Sequence, residues 1–127
     1  MTERLLLDTD VLVDYLRGVP EAVNFLENLD HPLLLSAISV AELYAGARPG
    51  KEMQALDDFI ATFEIIPIEK QIARQCGLFR GTYGPSHGSG LADALIAATA
   101  TIHGATLVTL NAKHFPMVKV RLPYRKS

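Results

Sequence analysis

Asp8, Glu42 and Asp93 are the side chains of this 127-residue sequence whose type and placement point to chemistry. The short apolar run from Arg4 to Leu7 ends at Asp8, which puts a carboxylate where a buried strand leaves a sheet and faces a cleft. Glu42 sits in an apolar helical pattern, and Asp93 in the first turn of a helix otherwise rich in Ala, Leu and Ile. Two carboxylates about 4 Å apart repel by roughly 4 kcal/mol at an effective dielectric near 20, so three acids share a site only with protons or a cation. Ligands that are all oxygen favour a hard ion, magnesium or manganese. His31, His87, His103 and His114 are not spaced as zinc ligands, and the single cysteine, Cys76, excludes a Cys-based zinc site and an internal disulfide. Such an ion activates water against a phosphodiester without a Ser, Cys or His nucleophile, and the sequence holds no triad, P-loop or G-x-G-x-x-G.

Each acid also has a structural reading. Asp8 can serve as a loop or capping residue. Asp10 is placed to N-cap the helix carrying Val11, Leu12, Tyr15 and Leu16, and Asp14 to pair with Arg17 three residues on. Ser39 and Glu42 form an S-x-x-E capping box, in which the glutamate returns to the Ser39 amide. Asp93 near a helix N-terminus gains about 0.3 to 1 kcal/mol from the macrodipole alone.

The elements that must position these groups alternate. Helical spacing runs from Val11 until Gly18 stops it, and Pro20 opens a second helix through about Asn28. Leu33 to Leu35 reads as a strand, Ser39 begins a helix that ends by Pro49, and Met53, Leu56, Phe59, Ile60 and Phe63 mark an amphipathic helix. Ile65 to Ile68 reads as a third strand containing Pro67. Ile72, Cys76, Phe79 and Tyr83 repeat at helical spacing up to a loop from Gly84 to Ser89. A helix from Leu91 to His103, with Gly104 at its C-terminal stop, precedes a strand from Thr106 to Leu110 and an edge strand near Val118 to Leu122. Strands separated by helices predict one α/β domain over residues 1–127, with a mostly parallel central sheet covered on both faces. In such sheets ligands sit beyond the carboxyl ends of the strands, where Asp8 and Asn111 both fall.

Nearly half the residues are apolar and a fifth are charged, which argues against disorder. The net charge of −2 excludes binding of nucleic acid by bulk electrostatics, so any such contact is local. Lys119, Arg121, Arg125 and Lys126 form a basic C-terminal stretch that reads as a solvated terminus or a phosphate contact. With no apolar run near 18 residues and no signal-type segment, the expected location is the cytoplasm, away from the membrane.

Three segments carry a resemblance: LLLDTDVLVDYLRG around Asp8, SAISVAELYAGA around Glu42, and LADALIAATATIHGATLVTLNAKHF around Asp93 and Asn111. In their order and spacing they resemble the PIN-domain family, and within it the VapC-type toxins, over nearly the whole chain. The resemblance implies a metal-dependent endoribonuclease in which Asp8, Glu42 and Asp93 bind magnesium or manganese and a metal-activated water cuts RNA. Many members carry an Asp where this sequence has Asn111, so Thr109 and Asn111 are expected as supporting polar groups. Arg17, Arg48, Lys113 and His114 lie near the motifs as candidates for phosphate contact. The resemblance also implies a cognate antitoxin and a homodimer or toxin–antitoxin hetero-oligomer, to which Tyr44, Met53, Leu56 and Phe63 either present a surface or simply contribute core. Two other readings compete. The Asp8-Thr9-Asp10 pattern resembles haloacid dehalogenase-like phosphotransferases, and a metal-free interaction module would use the acids only as caps.

Overall fold

The computed structural model describes residues 3–88 and 90–125. Its centre is β1 (Leu5–Leu7), whose consecutive leucines are all fully buried. A strand apolar on both sides needs cover on both faces, and a parallel sheet with flanking helices provides it. The strands are β1, β2 (Leu33–Ser36), β3 (Glu64–Ile66), β4 (Thr106–Val108) and β5 (Val120–Arg121). They pair in the order β3-β2-β1-β4-β5, with every pairing parallel. The expected mostly parallel sheet is therefore wholly parallel.

Because side chains alternate across a strand, β1 feeds two cores. Leu6 joins Leu34, Ile66 and Leu107 under α5 (Lys70–His87) and α6 (Leu91–His103), in a cluster that also holds Ile72, Cys76, Ala97 and Phe115. Leu5 and Leu7 join Leu35 and Val108 on the other face, where Val11 and Leu12 of α1 (Thr9–Leu16), Leu43 of α3 (Ala37–Ala45) and Leu56 of α4 (Lys51–Ile60) close the layer. The short α2 (Pro20–Glu27) lies beside α1, with Pro20 in its first turn as the sequence predicts. Of the stripe with two readings, Leu56 is core and Tyr44, Met53 and Phe63 are half-buried.

The departures from expectation are local. The segment expected as a loop from Gly84 continues α5 to His87, and α5 lies along α6 for much of its length. Pro85 is tolerated because Gly84 before it has no Cβ to meet the proline ring, and the turn comes at Gly88, in the left-handed region at φ 66°. Ser89 of that expected loop lies outside the described residues, as does Lys126 of the basic stretch. β3 stops at Ile66, since Pro67 has no N–H for the ladder. β4 stops at Val108, where the chain turns into the crevice. Lys119 and Arg121 stand 3.3 and 3.9 Å from the Glu3 carboxylate, so half of the basic stretch is spent on an internal acid.

Following β4, a single 3₁₀ turn (Ala112–His114) leads to Phe115, which is only 1 % exposed and is set into the α5–α6 core. That ring is the anchor of the whole β4–β5 connection. Phe115→Ala should cost about 3 to 5 kcal/mol of unfolding free energy, measured by urea denaturation. A loss below about 1 kcal/mol would mean that the connection is held elsewhere.

Candidate active site

The strand order reverses between β1 and β4: the chain leaves β1 toward β2 on one side and leaves β4 toward β5 on the other. A crevice must open at the carboxyl ends of such a pair, since the two connections diverge. Asp8 and Thr109 follow β1 and β4 directly and face each other across it. The Thr109 hydroxyl donates to Asp8 Oδ2 at 2.7 Å, the Thr9 amide donates to Asp8 Oδ1 at 2.8 Å, and the Asp8 amide donates to the Val108 carbonyl at 2.9 Å.

Asp8 is also the N-cap of α1, with extended backbone, so strand passes to helix through this one residue. The expectation that Asp10 caps this helix is thereby corrected. With the cap two residues earlier, Asp10 lies in the first turn and its Oδ2 accepts from the Leu110 amide and the Asn111 side-chain amide, both at 3.2 Å. Asp14, expected beside Arg17, is buried and accepts from the Tyr124 hydroxyl at 2.8 Å.

Glu42 is corrected in the same way. α3 begins at Ala37, capped by Ser36, whose Oγ accepts from the Ile38 amide at 3.2 Å. Strand β2 hands its last residue to the helix as a cap, so Ser39 is buried inside α3 and no capping box forms around Glu42. Glu42 instead accepts from the Thr9 hydroxyl at 2.7 Å, and Ser39 Oγ lies 2.9 Å from the same hydroxyl. A carboxylate only accepts, so the single Thr9 proton serves Glu42 and Ser39 supplies the proton of the second bond. Thr9 thus ties Glu42 to the residue next to Asp8. Asp93, in the first turn of α6 as expected, has the His114 ring at its carboxylate, with Nδ1 3.3 Å from Oδ2.

Electrostatics makes Asp8 the centre of this arrangement. Burial, then the neighbouring Asp10 charge, pushes its carboxyl up to about 7 against the bonds from Thr109 and Thr9, and Asp93 adds to the rise. Asp8 therefore feels the charges of both Asp10 and Asp93, while Glu42 reaches the group through Thr9. Among the described residues no three acidic, His or Cys side chains stand close enough to clasp one ion as they are. What fits a hard divalent cation is the donor chemistry: carboxylate oxygens around a buried acid whose charge no cationic group among the described residues offsets. Of the supporting groups, Thr109 is fully buried on Asp8, and Asn111 is exposed, its side chain donating to Asp10.

Among the candidate phosphate contacts, Arg17 is exposed on a groove of about 490 Å³ that Glu42 and Glu52 also line, between α1, α3 and α4. Arg48 and Lys113 are exposed. Thr9, Asp10 and His114 have contacts at the site that their motifs alone did not assign. The signal that could have found the first two is the D-x-D spacing itself. Once the strand-end Asp8 is the cap, the next two residues necessarily open the helix at the crevice.

The family model described as PIN domain matches residues 5–119. Ribonuclease VapC10 of Mycobacterium tuberculosis is 41 % identical over 122 residues, covering 94 % of this chain and 91 % of that protein. Ribonuclease VapC1 of Methanocaldococcus jannaschii is 33 % identical over 91 % of this chain and 82 % of its own length. Among solved structures, a toxin–antitoxin complex from Klebsiella pneumoniae superposes with a TM-score of 0.84 at 33 % identity, covering 96 % of this chain and 99 % of that one.

The raised Asp8 carboxyl has a measurable consequence for the metal-free protein. The folded state holds the Asp8 proton up to about pH 7, whereas an unfolded aspartate releases it near pH 4. This contribution to stability is thus fully present below about pH 4 and is lost as the pH rises through about 7. In EDTA at pH 8, Asp8→Asn should raise the unfolding free energy by on the order of 1 to 4 kcal/mol, with the gain shrinking toward pH 4. Superimposable denaturation curves for the two proteins at pH 8 would refute a buried, uncompensated charge.

Proposed function

The chain belongs to the PIN-domain family, and we propose that it is an endoribonuclease toxin of a type II toxin–antitoxin pair, hydrolysing RNA phosphodiester bonds in the β1–β4 crevice with magnesium or manganese held by Asp8, Glu42 and Asp93. The observation that carries this reading is the buried Asp8, held at both oxygens and pressed by Asp10 and Asp93, in a chain whose relatives are ribonucleases.

A bound divalent ion supplies counter-charge, polarisation of the scissile phosphodiester and activation of the attacking water. The protein's part is to hold the ligands. Thr109 and the Thr9 amide fix the plane of the Asp8 carboxylate from two directions. Asp10 bonds the Leu110 amide and the Asn111 side chain, which stops the segment after β4 from swinging over the crevice. Thr9 occupies Glu42 Oε1, and among the described residues no hydrogen bond claims Oε2, which leaves that atom to take part in binding the ion or orienting water. Phosphate is recognised locally, in keeping with the net charge of −2.

The match of residues 5–119 to the PIN-domain model argues against the haloacid dehalogenase-like reading, in which Asp8 would be a covalent nucleophile. A metal-free docking module would have no need for a carboxylate buried to 5 % exposure at a topological switch point. The toxin reading brings a protein partner with it. The Klebsiella structure of the same fold is a toxin–antitoxin complex, and we infer a cognate antitoxin for this chain, assembled as a homodimer or a toxin–antitoxin hetero-oligomer. None of the described helices is long and apolar enough to cross a membrane.

The purified chain should cut single-stranded RNA in magnesium or manganese and stop in excess EDTA. Loss of a group that merely orients a metal ligand typically costs 10- to 100-fold, so Asp8→Ala and Asp93→Asn should each lower kcat/KM by about a hundredfold or more. Gel assays of wild type beside the two variants decide the matter, and a loss under about tenfold in either would remove that residue from the metal site.

A further inference from the structure

We propose that His114 is a positioning residue for Asp93: its imidazole holds one carboxylate oxygen of Asp93 so that the other is aimed at the divalent ion. The inference rests on the metal-nuclease reading above. Nδ1 of His114 stands 3.3 Å from Asp93 Oδ2, with both side chains about one-third exposed. Among the described residues, His114 is the one cationic or imidazole side chain within ion-pair distance of Asp93.

This meeting is built into the chain and is not a chance contact of two surface groups. His114 closes the 3₁₀ turn, its amide bonding the Asn111 carbonyl at 2.9 Å. The turn is fastened at both ends. Asn111 is tied to Asp10 through its side chain and to Thr109 through its amide, while Phe115, next to His114, is buried with Ala94, Ala97 and Ala98 of α6. A side chain between two such anchors loses little further freedom when it settles against the first turn of α6. Among the described residues, no side-chain hydrogen bond fastens Asp93. It sits one turn into α6, whose N-cap, Gly90, offers no side chain, whereas Asp8 is held by two donors and Glu42 by Thr9. His114 supplies the missing orienter, in the way that ligand carboxylates at metal sites are themselves held by a hydrogen-bond partner. Nδ1 is the His114 nitrogen at ion-pair distance from Asp93, and the proposal places the proton of the contact there.

The use of Nδ1 makes the role separable from bulk and charge. An asparagine amide can replace Nδ1 of histidine, while a glutamine amide reaches the position of Nε2. The experiment compares wild type, His114→Ala, His114→Asn, His114→Gln and Asp93→Asn, reading manganese affinity by electron paramagnetic resonance, RNA cleavage as kcat and KM, and thermal unfolding in EDTA. His114→Ala should weaken manganese binding about 10- to 100-fold and lower kcat with little change in KM. His114→Asn should restore affinity to within a few-fold of wild type, and His114→Gln should not. Manganese affinity in His114→Ala equal to or tighter than wild type overturns the proposal, a tighter value meaning that His114 competes with the ion. Equal behaviour of the Asn and Gln variants overturns it too. If His114→Ala binds normally while Asp93→Asn does not, only the positioning role falls. If the wild type binds no manganese and cuts no RNA, the metal-nuclease reading falls and takes this one with it. A variant that loses its thermal transition is replaced in the comparison by the Asn and Gln pair, whose difference in affinity alone decides for or against the Nδ1 contact.

Discussion

A carboxylate buried between two parallel strands, with acidic neighbours, is the constraint around which this molecule is arranged. Asp8 cannot ionise cheaply where it stands, because burial removes its water and Asp10 and Asp93 oppose its charge. The fold answers with two hydrogen bonds to its oxygens and leaves the rest of the counter-charge to be supplied from outside. A site in this condition is poorly suited to stability and well suited to binding a cation. The buried leucines of β1 are what make it tolerable, since they bind the strand into both cores and so hold the position of Asp8.

Parallel pairing then determines which residues can take part. All strands point the same way, so every strand end faces the crevice side, and the helices that start there bring their first turns with them. Asp8 and Ser36 are each the cap that converts a strand into a helix without a loop. Short junctions of this kind put Thr9 against Glu42 across neighbouring helices. A longer loop at either junction would separate the two acids, because neither contact is repeated elsewhere along the helices. The other side of the crevice is closed by the connection after β4, which Asp10, Asn111 and Phe115 hold against α1 and α6.

The groups at the site divide by what holds them. Asp8 and Thr109 are buried and bonded to each other, whereas Glu42 is exposed and Asp93 is partly so. Ligands on exposed helix turns can move by rotamer change, while a buried strand-end ligand cannot. Asp8 is thus the acid fixed in the core, and among the described residues no three ligating side chains stand together.

Much of the architecture was legible in the residues because it is written in local periodicity. The α6 span from Leu91 to His103, the left-handed stop at Gly104, the proline opening of α2 and the alternation of strand and helix depend on neighbours within a few positions. Asp8 and Asp93 could also be chosen as candidates, since a strand end and a helix start are properties of sequence, whereas Glu42 was placed by a helix start that the fold moves three residues earlier. Caps and contacts were not legible in the same way. Asp8 or Asp10, and Ser36 or Ser39, are chemically equal as caps, and only the paired sheet decides how far the strand extends and therefore which one the helix begins on. That choice moved Asp10 onto the β4 exit and released Glu42 to Thr9. The continuation of α5 past Pro85 likewise depends on packing along α6, which no short window of sequence contains. Thr109 meets Asp8 because β1 and β4 lie side by side, and His114 meets Asp93 because Phe115 anchors the turn after β4 to α6, so tertiary structure alone could assign these partners.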